Sequence, residues 1–161
     1  MRIFLDLPPY LRQWLTDRCG GREPLVFPRG SIELTMLRTM LRAPRPADRP
    51  MLSCPPGWTT VEVPAFRGVP ADSRNFLPAP ARMAIEATIR ERFDLDMWEL
   101  VKENEYSLIP LDNLIDAWME ARGIEPDDTN TQAVRKRFQR LRQRATGNLR
   151  QRNHRKCLKN Q

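Results

Sequence analysis

The sequence predicts an α+β fold, with short strands and helices in its N-terminal part and helices alone in its C-terminal part. Residues 2–7 and 58–66 have the composition of short strands. Apolar residues recur at helical spacing after residue 81. Between these parts, residues 44–58 hold five prolines in fifteen positions, a density that excludes both a helix and a central strand.

These observations divide the chain into three regions. We expect a mixed α/β N-terminal region over 1–77, a helical region over 78–145, and a flexible basic tail over 146–161. The tail is expected to be flexible because its few apolar residues stand among strongly charged neighbours.

The first region is predicted to contain two helices. Pro8 and Pro9 suit the first turn of a helix that ends at Gly20–Gly21. Residues 24–28, "PLVFP", form a short extended piece, and Ser31 is placed to cap a helix that ends before Pro44. Because strands this short are marginal on their own, a partner such as a second copy in a homodimer is one way to complete a sheet.

The middle of the chain has a strong helical period. Ala81, Ile85, Ile89 and Phe93 recur every four residues and predict a helix. A second helical piece is expected to follow, with Asp94 or Asp96 as its cap.

The last two predicted helices form a loosely helix-turn-helix-like pair. "LDNLIDAWMEARG" has an amphipathic pattern that ends at Gly123. A polar connector follows, in which Thr129 with Gln132, or Asn130 or Thr131 alone, is expected to cap the next helix. The buried stripe of that helix is predicted to be Val134, Phe138, Leu141 and Ala145. The connector is longer than the three or four residues of a tight motif.

Positive charge is concentrated at the C-terminal end. The chain has 27 Lys and Arg against 20 Asp and Glu, a net charge of +7. Residues 134–161 hold eleven of those cations and no carboxylate, which leaves sixteen cations and twenty carboxylates in residues 1–133. On these totals, a mildly anionic body carries a strongly cationic end.

A helix that packs through a narrow apolar stripe and presents cations outward has the properties required to lie against nucleic acid. Thr131 and Gln132, near the start of the last helix, are the candidates for reading bases. The candidate phosphate contacts are Arg135, Lys136, Arg137, Arg140, Arg142 and Arg144 on the helix, and Arg150, Arg152, Arg155 and Lys156 in the tail.

The pattern favours binding of double-stranded DNA. Three alternatives stay open at this stage: an RNA ligand, an interaction or assembly module whose tail docks on an acidic protein, and a solvated face without a partner. The sequence does not select a target site.

Few residues in the chain suit chemistry. His154 is the only histidine, and Cys19, Cys54 and Cys157 are odd in number and widely spaced, so we expect neither a zinc site nor a disulfide framework. No phosphate-binding glycine loop or hydrolase motif occurs. We therefore expect no enzyme activity, no metal or other cofactor, and no small-molecule substrate. Neither a signal peptide nor a membrane span is evident, which predicts a cytoplasmic protein.

The segment "AWMEARGIEPDDTNTQAVRKRFQRLRQR" resembles the C-terminal segment of small basic proteins of prophages and conjugative elements in anaerobic bacteria. The likeness covers about thirty residues, and "FLDLPPYLRQWL" and "FPRGS" extend it. Those proteins are uncharacterised. The resemblance implies a mobile-element setting and an accessory or regulatory role directed at DNA, and it supplies no catalytic residues.

Overall fold

The computed structural model is mixed, with strands in the N-terminal part of the chain. It describes residues 1–68, 74–104 and 108–159; the side chains of 103–104 and 145–159 lie outside this description. In the described ranges the elements are β1 (Arg2–Leu5), α1 (Pro9–Arg18), α2 (Ile32–Met40), β2 (Thr59–Glu62), α3 (Ala79–Asn104), α4 (Leu111–Ala121) and α5 (Asp128–Lys159). The predicted α+β class is confirmed at this level.

The chain forms two compact units. Unit 1 consists of Met1–Phe93 and Arg122–Ile124, and unit 2 consists of Asp94–Ala121 and Glu125–Gln161. The helix α3 contributes to both units, with the division between Phe93 and Asp94.

A small sheet forms part of the core of unit 1. β1 pairs antiparallel with β2, and Ile3 lies opposite Val61 with both side chains buried. On the other edge of β2, Leu25 forms a parallel bridge, in which its amide donates to the Thr60 carbonyl at 2.8 Å and its carbonyl accepts from the Glu62 amide at 2.7 Å. The predicted extended piece at 24–28 therefore satisfies backbone groups of β2 within the same chain. A homodimer stays a prediction.

Aromatic packing connects α1 to the first part of α3. The ring of Phe93 meets Trp14 edge-on at 5.4 Å and Tyr10 at 5.2 Å between centroids. Trp14 and Phe93 are almost completely buried, and such pairs add about 0.5–1.5 kcal/mol to the effect of burial alone. The predicted cap of α2 is confirmed, since Ser31 Oγ accepts a hydrogen bond from the Leu34 amide at 3.2 Å.

The prediction of a helix break at Asp94 or Asp96 is wrong, because α3 runs without interruption from Ala79 to Asn104. The segment 81–104 contains neither Gly nor Pro, so nothing in its backbone favours a stop. Asp94 lies inside the helix, and its carboxylate is held by Arg137 instead of by free backbone amides.

The cap of α5 also differs from the prediction. Asp127 provides it, because its Oδ1 accepts from the Asn130 amide at 2.7 Å. Asn130 is buried, and its Nδ2 donates to the Glu125 carbonyl at 3.0 Å and to Asp127 Oδ2 at 3.2 Å. Asp and Asn are both good caps. Asp127 is the cap here because it directly precedes the first residue of α5, Asp128, whereas Asn130 lies within the first turn.

The backbone of α5 stays helical through Lys159, beyond the predicted division at residue 146. No proline follows Pro126, and Gln, Arg, Lys and Leu are good helix formers, so the local sequence permits the continuation. Flexibility of this tail in solution stays a prediction.

The glycine that follows α4 is required by two features of its surroundings. Gly123 has φ of +65°, a value that residues with a Cβ rarely adopt. A Cβ added there would lie 2.8 Å from the Cβ of Asp17 in α1, which belongs to the same unit. The neighbouring Ile124 is buried in the core of unit 1. The predicted end of α4 is therefore confirmed, and close packing adds a second requirement for glycine.

We expect Gly123→Ala to lower the free energy of unfolding, measured by urea denaturation, by about 1–3 kcal/mol more than Gly30→Ala does. Gly30 also has positive φ but nothing lies within 4 Å of its added Cβ, so that variant incurs the backbone cost alone. Equal losses in the two variants would show that the approach to Asp17 is unimportant.

A carboxylate organises the start of the proline-rich loop. Asp48 accepts two hydrogen bonds from the Arg42 guanidinium, at 2.6 and 2.9 Å, and one from the Arg45 amide. These bonds, first that from Arg42 and then that from Arg45, lower the pKa of Asp48 to about 2. The loop has no regular secondary structure, but these bonds fix it where it leaves α2.

Because the pKa of Asp48 is lower in the folded chain, its contribution to stability is present above the ordinary pKa and is lost as the pH falls towards 2. We expect a carboxyl-carbon NMR titration to place the midpoint of Asp48 near pH 2 in the folded protein. Arg42→Gln should move that midpoint up towards about 3.9, the value for an unperturbed Asp. A midpoint near 4 in the unaltered protein would show that the bonds from Arg42 and Arg45 do not hold the Asp48 carboxylate in solution.

Candidate nucleic-acid interface

Positive and negative side chains are more segregated along the chain than the totals suggest. Residues 1–93 carry fourteen Arg and nine carboxylates, whereas residues 94–133 carry eleven carboxylates and only two cations. The apparently mildly anionic body thus consists of a basic segment followed by a strongly acidic one. Unit 2 joins that acidic segment to the basic helix α5, with eleven carboxylates against twelve cations.

The inward side of α5 is apolar. Val134 and Phe138 are completely buried and Leu141 is nearly so, while the side chain of Ala145 lies outside the described part. The other buried apolar side chains of unit 2 come from α3 and α4, and include Met97, Leu100, Val101, Ile115 and Met119. The predicted stripe is confirmed for its three described members, and it fixes the side of α5 that faces solvent.

One cation on the flank of α5 is held by α3. The Arg137 guanidinium donates two hydrogen bonds to the Asp94 carboxylate, from Nε to Oδ1 and from Nη2 to Oδ2, the latter at 2.8 Å. Both side chains are largely screened from solvent, with 26% and 17% exposed. This two-bond geometry is the strongest arrangement that arginine makes with a carboxylate, so Arg137 is engaged inside unit 2.

A second ion pair lies on the other flank. Arg135 Nη2 is 3.3 Å from Asp112 Oδ1 at the start of α4. The Asp112 side chain is 64% exposed, so solvent and salt weaken this pair. Arg142, on the same flank by helical spacing, is exposed and also has an interaction within the chain.

The outward face of α5 carries an exposed basic row, formed by Lys136, Arg140 and Arg144 at four-residue spacing. Within the residues that the structure describes, none of these three forms a hydrogen bond or an ion pair. At about 1.5 Å of rise per residue, successive cations are about 6 Å apart along the helix axis. The basic row therefore presents three positive charges to solvent in one line.

The two candidates for base reading lie differently in the first turn of α5. Gln132 is exposed and precedes Lys136 by four residues, so it extends the basic row at its N-terminal end. Thr131 is half-buried, and its amide donates to the Asp127 carbonyl at 2.9 Å. Of the two, only Gln132 stands on the outward face.

The four tail candidates lie outside the described side chains. Their backbone belongs to α5. Arg150, Arg152, Arg155 and Lys156 therefore stay predicted contacts.

An acidic ridge runs along α4. Asp112, Asp116 and Glu120 are exposed at four-residue spacing, and Asp112 is the partner of Arg135. Because α4 packs against α5, the same unit presents an anionic surface beside its cationic one.

The sequence contains one signal for these internal pairs. Carboxylates in α3 and α4 outnumber cations by a wide margin, and a helix as basic as α5 must pack against such neighbours. The specific partners of Arg135 and Arg137 depend on how three helices pack, which is not a local property of the sequence.

Cys19 lies at the end of α1 and does not suit nucleophilic chemistry. Burial raises the pKa of its thiol to about 11, with Glu33 adding to the rise and Arg18 opposing it. The thiol therefore stays protonated at neutral pH. Over the described residues, no three side chains of His, Cys, Asp or Glu are grouped so that they could hold a metal ion.

Comparisons of the chain with protein-family models, curated proteins and solved structures found no match. None of the helices in the described part of the chain has both the length and the apolar character that spanning a membrane requires.

We expect the Asp94–Arg137 pair to stabilise unit 2 more than the Asp112–Arg135 pair. In double-mutant cycles to alanine, followed by urea denaturation, the first pair should show a coupling free energy of about 1–2 kcal/mol because it is bidentate and half-buried. The more exposed second pair should give less than about 1 kcal/mol. Equal couplings would mean that the geometry at Asp94 confers no advantage.

Proposed function

We propose that this chain binds nucleic acid, most favourably double-stranded DNA, through the exposed basic row of α5. The observation that carries the proposal is that Lys136, Arg140 and Arg144 face solvent in one line without a partner in the described residues. Each strand of a duplex presents a phosphate about every 3.4 Å along the axis, so all three cations can reach phosphate oxygens together.

The internal ion pairs have a positioning role in this proposal. The two bonds from Arg137 to Asp94 hold one flank of α5 against α3, and burial of Val134 and Phe138 leaves the basic row on the solvent side. Arg137 and Arg135 are therefore support for the interface, and the basic row supplies the phosphate contacts. Gln132 is the candidate for a base contact, and the tail cations extend the contact along the duplex backbone.

The acidic ridge of α4 gives the interface a direction. Phosphates that approached Asp116 and Glu120 would be repelled, so the duplex should lie on the outward side of α5 away from α4. A basic row beside an anionic surface restricts the orientations in which a polyanion can bind.

The likeness to proteins of prophages and conjugative elements adds a setting to this proposal. In that setting the protein acts as an accessory or regulatory factor on the DNA of a mobile element. RNA and an acidic protein stay the competing ligands, because each also carries a dense array of negative charge.

We expect the affinity for a 20-base-pair duplex to fall steeply with salt. In fluorescence anisotropy between 50 and 200 mM salt, the log–log slope should be about −3 if the basic row alone contacts phosphates, and about −6 if the four tail cations also do. Arg140→Gln should reduce the magnitude of that slope by about one, because it removes one phosphate contact.

Two matched variants make this test specific. Arg38→Gln removes an exposed arginine of α2 and should leave the slope unchanged. Arg137→Gln should change the slope less than Arg140→Gln does, because Arg137 is already paired with Asp94. If all three variants change the slope equally, the row is not the contact surface.

We expect duplex DNA to compete for the labelled duplex better than a structured RNA of equal charge or an acidic polypeptide. Neutralising the ridge by Asp116→Asn should tighten DNA binding, because it removes a repulsive charge beside the row. Preferential competition by the acidic polypeptide would favour the protein-docking alternative, and no binding of duplex at low salt would refute the proposal.

A further inference from the structure

A groove in unit 1 is lined by three arginines from separate parts of the chain. Arg2 comes from β1, Arg49 from the proline-rich loop and Arg82 from the second turn of α3. The groove, here called the arginine groove, has a volume of about 150 Å³. Unit 1 therefore has a cationic concavity of its own.

The other lining groups are neutral. Asn75 adds an amide, and aromatic rings of Phe4 and Phe76 form part of an otherwise apolar wall. The described residues that line the groove include no carboxylate. The lining thus combines hydrogen-bond donors for an anionic group with apolar surface for the rest of the ligand.

The guanidinium groups of the groove have few partners among the described residues. Arg2 forms no hydrogen bond or ion pair with them. Glu62 lies opposite Arg2 in the sheet register, but its carboxylate oxygens are more than 4.0 Å from the guanidinium nitrogens. Arg49 donates only one long bond, of 3.4 Å, to the Asp48 carbonyl. These two charges are therefore not neutralised by ion pairs within the described residues.

Arg82 is held in place but keeps donors available. Its guanidinium stacks on Trp58 with 4.7 Å to the ring centroid. Its Nε forms an ion pair with Glu86 Oε1 at 3.7 Å, a distance longer than a hydrogen bond. In the described part of the chain Arg82 Nε is buried without a hydrogen-bond partner. Stacking fixes the plane of the fork and leaves donors for a ligand.

A fourth arginine shows the contrast. Arg42 stacks on Phe76 at 4.8 Å, but its charge is matched by the two bonds to Asp48. Asp48 is thus already engaged and does not neutralise the adjacent Arg49. Arg82 is opposed by the Glu86 carboxylate. The uncompensated charge of the groove is therefore that of Arg2 and Arg49, and the repulsion between them is a cost that a bound anion would remove.

From this arrangement we infer that the arginine groove binds the phosphate of a phosphomonoester that carries a small apolar or aromatic group. Arginine forks match the oxygens of a phosphate, and a dianion balances the two cations without an ion pair in the described residues, Arg2 and Arg49, better than a singly charged carboxylate does. Pockets that enclose drug-sized ligands begin at about 300 Å³, so a groove of about 150 Å³ holds the phosphate and one adjoining group. Phe4 and Phe76 offer that group an apolar wall.

The full-length protein and phenyl phosphate provide the test, with isothermal titration calorimetry as the measurement. We expect phenyl phosphate to bind at least about tenfold more tightly than inorganic phosphate, because of the apolar wall, and more tightly than benzoate, because of its double charge. Arg2→Gln and Arg49→Gln should each weaken binding roughly tenfold, as the loss of one charge-assisted contact implies.

Arg38→Gln is the matched control and should leave the affinity unchanged, since it removes an exposed arginine of the same unit that does not line the groove. A short single-stranded oligonucleotide, with and without a 5′-phosphate, distinguishes a nucleic-acid end from a free small molecule as the source of the phosphate. Either source fits the site if Arg49→Gln weakens its binding. Lys136→Gln should not change the affinity for phenyl phosphate, so this test is independent of duplex binding by α5.

The inference is overturned if phenyl phosphate does not bind, if benzoate binds as tightly, or if Arg38→Gln weakens binding as much as Arg49→Gln does. Circular dichroism of each variant establishes that its fold is retained. Arg49 is exposed in a loop, so its substitution removes no contact of a helix or strand.

Discussion

The packing of a very basic helix against acidic neighbours is the constraint on which unit 2 depends. α5 has to bury Val134 and Phe138 in a core while it carries a dense array of cations, and repulsion between those cations opposes compact folding. The carboxylates of Asp94 and Asp112 take up the charges on its two flanks. The cations on the outward face are the ones that remain for another molecule.

The same principle organises unit 1, where arginines also exceed carboxylates. Arg92 is held 3.0 Å from the buried carboxylate of Glu33, and Arg42 by the two bonds to Asp48. A buried carboxylate without such a partner would be costly, so these pairs are part of what allows the core to close. Cations outside the pairs then identify candidate anion surfaces: the basic row in one unit, and Arg2 and Arg49 of the arginine groove in the other.

Local sequence signals were sufficient for the elements but not for the partners. Paired prolines, the Ser31 cap and Gly123 each act within a few residues, and the structure places helix ends there as predicted. The cap predicted at Asp94 is wrong because an Asp followed by a new apolar run has the local pattern of a cap, whereas its actual partner lies 43 residues away. The arginine groove draws on three distant segments, so no spacing along the chain could reveal it.

The most direct test is to map where a duplex touches the full-length protein, with NMR signals of arginine and lysine side chains followed during titration. We expect the signals of Lys136, Arg140 and Arg144 to shift first and most, while Arg137 keeps the signature of its bond to Asp94. Shifts confined to unit 1, or loss of the Arg137–Asp94 bond before any change in the basic row, would contradict it.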